Sequence, residues 1–171
     1  PGNNHLYYVF TIDQAAGIWT QNNPPIPGVF AYSIVDMNLN GGLGVVVNKN
    51  SVLYAPSAEK VAAIRHANGT DVWIISHKYF SDEYHAYLLT CEGIDSIPVI
   101  SKTGVIMGDS TISGNGIASY AGIMAISPEG NKIATPIGAG AGLQLSSFEA
   151  STGILSNSLT IPMSGTTMRG Y

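Results

Sequence analysis

Two stretches of this chain repeat one pattern about sixty residues apart. The first runs from Val61 to Ile75 and the second from Gly122 to Thr135. Each holds a short apolar run, a tight turn ending in glycine, and a second apolar run. The match continues downstream, where Glu92-Gly93-Ile94 corresponds to Thr152-Gly153-Ile154. Gly69 and Gly130 stand 61 residues apart, and Gly93 and Gly153 stand 60 apart. Two landmarks that keep one spacing define a repeated structural unit.

The unit is made of strands. Short β-branched and aromatic runs alternate with Gly, Asn, Ser and Pro, and no long segment keeps the apolar period of a helix. The clearest unit, 58–104, reads as four strands: Lys60–Arg65, Asp71–His77, Tyr84–Cys91 and Ser96–Ser101. Asn68-Gly69 suits a type I′ turn between the first two. Val72-Trp73-Ile74-Ile75 is apolar on both faces, as a strand held between two neighbouring sheets must be. Pro98 lacks the N–H of a ladder and marks the fourth strand as an outer edge.

Residues 121–163 repeat the plan with strands at Gly122–Ile126, Lys132–Pro136, Leu143–Phe148 and Ser158–Pro162, and Ser127-Pro128-Glu129-Gly130 turns the chain. Residues 1–57 hold an incomplete unit: strands at Leu6–Ile12 and Phe30–Met37, a hairpin at Asn40-Gly41-Gly42-Leu43 and a strand within Gly44–Tyr54. An insertion at 15–28 and a connection at 105–120 read as surface loops, where binding function usually resides. Residues 164–171 read as the start of a further unit.

The expected fold is therefore all-β, a β-propeller segment of about three four-stranded antiparallel blades. Propellers close with roughly four to eight blades, so the chain reads as a fragment of a larger propeller that packs against the remainder of its own ring.

At 45% hydrophobic and 11% charged, the composition suits a packed protein with few surface charges. The formal net charge of −4 and the absence of a basic run argue against nucleic acid and anionic membranes as partners. No stretch approaches the roughly 18 apolar residues of a membrane helix, so no direct membrane insertion is expected. The single cysteine, Cys91, leaves stability independent of an internal disulfide and reads as a buried thiol.

Several segments together resemble a known family. They are Pro1-Gly2-Asn3-Asn4-His5-Leu6-Tyr7-Tyr8-Val9-Phe10-Thr11, Tyr32-Ser33-Ile34-Val35-Asp36-Met37-Asn38-Leu39-Asn40-Gly41-Gly42-Leu43-Gly44, His66-Ala67-Asn68-Gly69-Thr70-Asp71-Val72-Trp73-Ile74 and Ile126-Ser127-Pro128-Glu129-Gly130-Asn131-Lys132. Glu59-Lys60, His77 and Ala86-Tyr87-Leu88-Leu89-Thr90 fall between them in order. The chain resembles the N-terminal β-propeller (WD-repeat-like) region of surface proteins exported by the type IX secretion system. Those proteins usually end in a gliding-motility-associated (type B) sorting domain. The resemblance implies an extracellular or cell-surface protein, secreted across the outer membrane, with adhesive or scaffolding modules. It implies no catalytic residues. It also implies that Asp95-Ser96-Ile97 and Asp109-Ser110-Thr111 fit the O-glycosylation acceptor of bacteria with this system.

Candidate chemistry is sparse. His5, His66, His77 and His85 show no metal-ligand spacing, and only His77 and His85 could meet, across one hairpin. Among the acids, Asp13, Asp36, Asp71, Asp82, Glu83, Glu92, Asp95 and Asp109 could supply a glycosidase pair, and Asp71 reads as a turn cap. No Asp-x-Asp-x-Asp-Gly calcium loop, nucleophile elbow or phosphate loop is present. The sequence thus gives no catalytic, cofactor or metal site. Trp19, Phe30, Tyr32, Tyr79, Phe80 and Tyr84 form a candidate partner- or glycan-binding surface, with blade packing as the competing role. The leading expectation is a non-catalytic module of an adhesin or scaffold with protein or glycan partners. The alternative is a glycan-active hydrolase or lyase with its site at the propeller mouth.

Overall fold

The computed structural model describes residues 2, 4–13, 28–108, 122–137 and 142–162. The strands are β1 (Leu6–Ile12), β2 (Gly28–Asp36), β3 (Val45–Arg65), β4 (Val72–Lys78), β5 (Ser81–Thr90), β6 (Gly93–Ile94), β7 (Val99–Met107), β8 (Ala125–Ile126), β9 (Lys132–Pro136), β10 (Leu143–Glu149) and β11 (Ile154–Ile161). All pairings are antiparallel. One sheet has the order β1-β2-β3-β4-β5-β6, with β7 also on β5, and a second has the order β11-β10-β9-β8. The fold is all-β, a β-propeller segment of about three antiparallel blades.

The first and second blades share β3. This strand pairs with β2 from Val45 to Ser57 and with β4 from Ser57 to Arg65. The outer strand of one blade thus runs into the inner strand of the next without a loop. No glycine or asparagine interrupts Tyr54–Lys60, and Pro56 has a φ that extended backbone accepts.

Three local expectations are corrected. Asn68 does not have positive φ; Gly69 alone does, at 77°. The turn is closed by Gly69 N–H to His66 O at 2.9 Å and His66 N–H to Asp71 O at 2.8 Å. The 127–132 turn has the same two bonds, Gly130 N–H to Ser127 O and Ser127 N–H to Lys132 O. The two repeats therefore share one turn geometry, which is not type I′. Second, Pro98 lies before β7 rather than within a strand. Asp95 Oδ1 accepts the Ile97 N–H at 3.0 Å, and this side-chain turn splits the outer strand into β6 and β7. Third, β7 extends through Met107, so the connection expected from Val105 begins later. Most of it, and most of 15–28, lies outside the described residues.

The core lies on both faces of β4, as its doubly apolar sequence demands. Trp73 and Ile75 pack with Tyr84, Ile133, Phe148 and Leu155 toward the third blade. Ile74 packs with Phe30, Tyr87 and Leu89 toward the first. Burying a side chain such as Ile75 stabilises the fold by roughly 1.5–3 kcal/mol.

Beside the apolar contact, the second and third blades meet along a polar seam. Tyr84 Oη donates to Thr135 Oγ1 at 3.1 Å and accepts from Gln144 Nε2 at 3.0 Å. Gln144 Oε1 accepts the Val105 N–H at 3.0 Å. Thr103 Oγ1 donates to Ser158 Oγ at 2.9 Å, and Ser101 Oγ accepts the Leu155 N–H at 2.9 Å. Gln144, Ser146 and Thr135 have no exposed surface, and such groups hold their place only when hydrogen-bonded.

Candidate functional site: the corner between β4 and β5

The five described aromatic candidates do not form one surface. Trp19 lies outside the described residues. Phe30 is fully buried, with its ring 6.0 Å from Phe10 and 6.1 Å from Tyr87. Tyr32 is half-buried beside Tyr8 and Phe10. Tyr84 is fully buried and belongs to the polar seam. Tyr79 is buried. Phe80 alone among the described members is exposed, at 55%. The correction has a simple cause: Phe30 and Tyr84 sit on inward-facing strand positions, where packing between blades claims large rings.

Phe80 occupies the corner between β4 and β5 with φ of +56°, a left-handed conformation that bulky residues adopt at a cost. Several contacts hold it there. Its N–H donates to Met107 O at 2.7 Å, and the preceding Tyr79 N–H donates to Pro56 O at 3.0 Å. The Tyr79 and Phe80 ring centroids are 4.0 Å apart. Gly108 admits both rings: a Cβ there would stand 2.6 Å from Tyr79 and 3.0 Å from Phe80.

An ion cluster adjoins this corner. Glu83 meets Lys78 at 2.9 Å, Lys102 at 3.1 Å and His85 Nε2 at 3.3 Å. Hydrogen bonds from Lys78 and Lys102 hold its carboxyl down to about 2. A carboxyl so tuned stays ionised at neutral pH and has no proton to give as a general acid.

His77 and His85 do not meet. His77 pairs with Tyr84 and His85 with Ser76, so adjacent positions send the two rings to opposite faces. His77 Nδ1 donates to Lys78 O at 2.8 Å, its ring lies edge-on to Tyr84, and its Nε2 has no hydrogen-bond partner among the described residues. Burial pushes its pKa down to about 4. Burial also lowers that of His85, whose ring lies 4.4 Å from Tyr54. Lys60, named in the sequence only as part of a shared motif, is fully buried, and desolvation brings its ammonium down to about 8. Its Nζ reaches Gly122 O at 3.5 Å. Among the described residues no group of three or more His, Cys, Asp or Glu could hold a metal ion.

Asp71 is not the cap of its turn: Asn68 Oδ1 accepts the Thr70 and Asp71 N–H groups, each at 3.0 Å, and Asp71 Oδ2 accepts from Asn68 Nδ2 at 2.7 Å. Asp36 Oδ1 accepts the Asn38 N–H and Glu149 Oε1 the Ser151 N–H, so these two acids do cap turn amides. Asp109 lies outside the described residues, and with it Asp109-Ser110-Thr111. Ser96 lies exposed in the turn between β6 and β7. Cys91 is exposed, not buried: it sits in the turn after β5. An open cleft of about 640 Å3 separates the 66–69 turn from the 126–130 turn, with Arg65, His66 and Glu129 on its walls and Ile64 and Ala150 among its apolar lining. No helix among the described residues is long and apolar enough to cross a membrane.

No protein-family model and no curated protein sequence matches the chain.

Proposed function

We propose that this chain is a non-catalytic β-propeller module of a secreted or cell-surface bacterial adhesin or scaffold that binds protein or glycan partners. The observation that carries the reading is the use to which buried polar groups are put. Tyr84, Thr135, Gln144, Ser146 and Ser101 bond one another or the backbone where two blades meet. Glu83 is neutralised by lysines, and His77 and His85 lie on opposite faces. Among the described residues, the Phe80 corner and the cleft between the two repeated turns are open to a partner. Export and surface location rest on the resemblance of the quoted segments to type IX-exported proteins.

The test is a panel of immobilised glycans and surface proteins scored for both retention and cleavage. Retention without product is the expected result. Turnover abolished by replacing one carboxylate would move the chain to the glycan-active enzyme class.

A further inference from the structure

We propose that Phe80 is a platform for the apolar face of a sugar ring, with the Asp82 carboxylate accepting from hydroxyls at the ring's rim. The proposal rests on the non-catalytic reading and narrows its partner to a saccharide.

Three observations support it. The first is placement against conformational preference. Phe80 has φ of +56° and is 55% exposed, whereas glycine would fill such a corner without steric penalty. A strained residue persists only where its surroundings over-determine it, and such residues cluster at ligand sites. The second is rigidity. Backbone bonds to Met107 O and Pro56 O, the Tyr79 ring behind and the close approach of Gly108 fix the ring's plane. A pre-ordered ring loses little freedom on binding. The third is the surrounding chemistry. The hairpin positions that flank the Tyr79–Phe80 pair in sequence, Lys78, Ser81, Asp82 and Glu83, are all polar, so the exposed ring sits in a hairpin otherwise made of hydrogen-bonding groups. Glu83 is engaged by Lys78 and Lys102, and Ser81 Oγ accepts the Glu83 N–H. The Asp82 side chain is partly exposed and makes no hydrogen bond or ion pair with the described residues. A pyranose matches that arrangement, with C–H bonds on one face and hydroxyls at its edge. A protein partner would favour a broader continuous apolar patch.

The experiment uses the full chain on an immobilised panel of neutral and acidic hexose and hexosamine oligosaccharides. Wild type is compared with Phe80→Gly, Phe80→Tyr and Asp82→Asn. Retention on at least one oligosaccharide is expected, weakened about tenfold by Phe80→Gly and recovered in Phe80→Tyr. Asp82→Asn should weaken it less. Because glycine accepts the corner's backbone, Phe80→Gly should melt within a few degrees of wild type. Absence of retention on the whole panel overturns the proposal, as does retention unchanged in Phe80→Gly. A large melting loss in that variant does so too, since it would make the ring a packing element. Cleavage products from wild type would end the non-catalytic reading alone if Phe80→Gly still lost retention.

Discussion

Gly93 and Gly153 do one job in successive blades. A Cβ on Gly153 would stand 2.8 Å from the Trp73 ring, and one on Gly93 would stand 3.3 Å from the Tyr8 hydroxyl. Each glycine follows the hairpin turn after the third strand of its blade and meets an aromatic of the preceding blade, Trp73 on β4 or Tyr8 on β1. Trp73 Nε1 also donates to Ala150 O at 2.9 Å, so ring and hairpin are fixed together. The repeated spacing of these glycines was legible in the sequence, but their reason was not, because the plugging ring lies in another blade. Both have positive φ, 77° at Gly153 and 124° at Gly93. Gly153→Ala is expected to destabilise the fold by about 1–3 kcal/mol, from backbone strain and overpacking together. Gly93→Ala should cost less at the contact, since a hydroxyl at 3.3 Å can yield. Urea denaturation of the two variants checks the order. His77 acts at the same scale through its charge. Its pKa is lower folded than unfolded, so the unfolded chain binds the proton first. Its contribution is full above about 6.5 and is lost as pH falls toward about 4. The loss is about 3 kcal/mol at most, and His85 shifts in the same direction. Stability measured across this window should decline for wild type, and the decline should flatten in His77→Asn.

The strands differ in how plainly the sequence announces them. β1 and β9 have the bounds that alternation and turn residues indicate, Leu6–Ile12 and Lys132–Pro136. The double burial of β4 follows from four consecutive apolar residues, because only a strand covered on both sides needs them. β3 was not legible as one element. Its halves serve two blades, and local pattern carries no sign that a strand changes partners. The polar seam was equally hidden. Gln144 and Ser146 alternate with apolar Leu143 and Leu145, which reads as a solvent-facing row, yet both are fully buried against the second blade. The row the sequence marks as inward faces out instead. The same ambiguity scattered the aromatic candidates: exposure depends on which face a neighbour covers, and among the described candidates only Phe80 is left exposed. Tyr84→Phe tests the seam as a unit. It removes the hydroxyl that joins Thr135 to Gln144 and leaves a buried amide short of one acceptor. A loss of about 1–3 kcal/mol is expected by denaturant unfolding. Thr135→Val in the same background should then cost little more, because the bond it removes is already gone.

Across the whole molecule the two outward faces resemble the inward ones. On the first blade Tyr7, Val35 and Val46 stand opposite one another across three strands, and Tyr7 and Val46 are more than half exposed. On the third, Ala125, Ala134, Leu145 and Leu159 form one row across all four strands. Leu159 is 61% exposed. Rows of this kind are what one blade offers the next, as β4 and β5 do within the chain. Monomeric proteins rarely leave contiguous apolar surface uncovered, because its burial is favourable at roughly 25 cal/mol per Å2. The chain as described should therefore associate with rising concentration. Val46→Lys and Leu159→Lys each place a charge in one row without touching β4, the seam or the Phe80 corner. Sedimentation velocity should show that each reduces the associated fraction and that the double variant reduces it most. Thermal stability at low concentration should change little, since exposed positions contribute within about 0.5 kcal/mol. If both variants associate like wild type, the outer faces are not the contact, and the exposed β1 and β11 edges become the surfaces to mutate next.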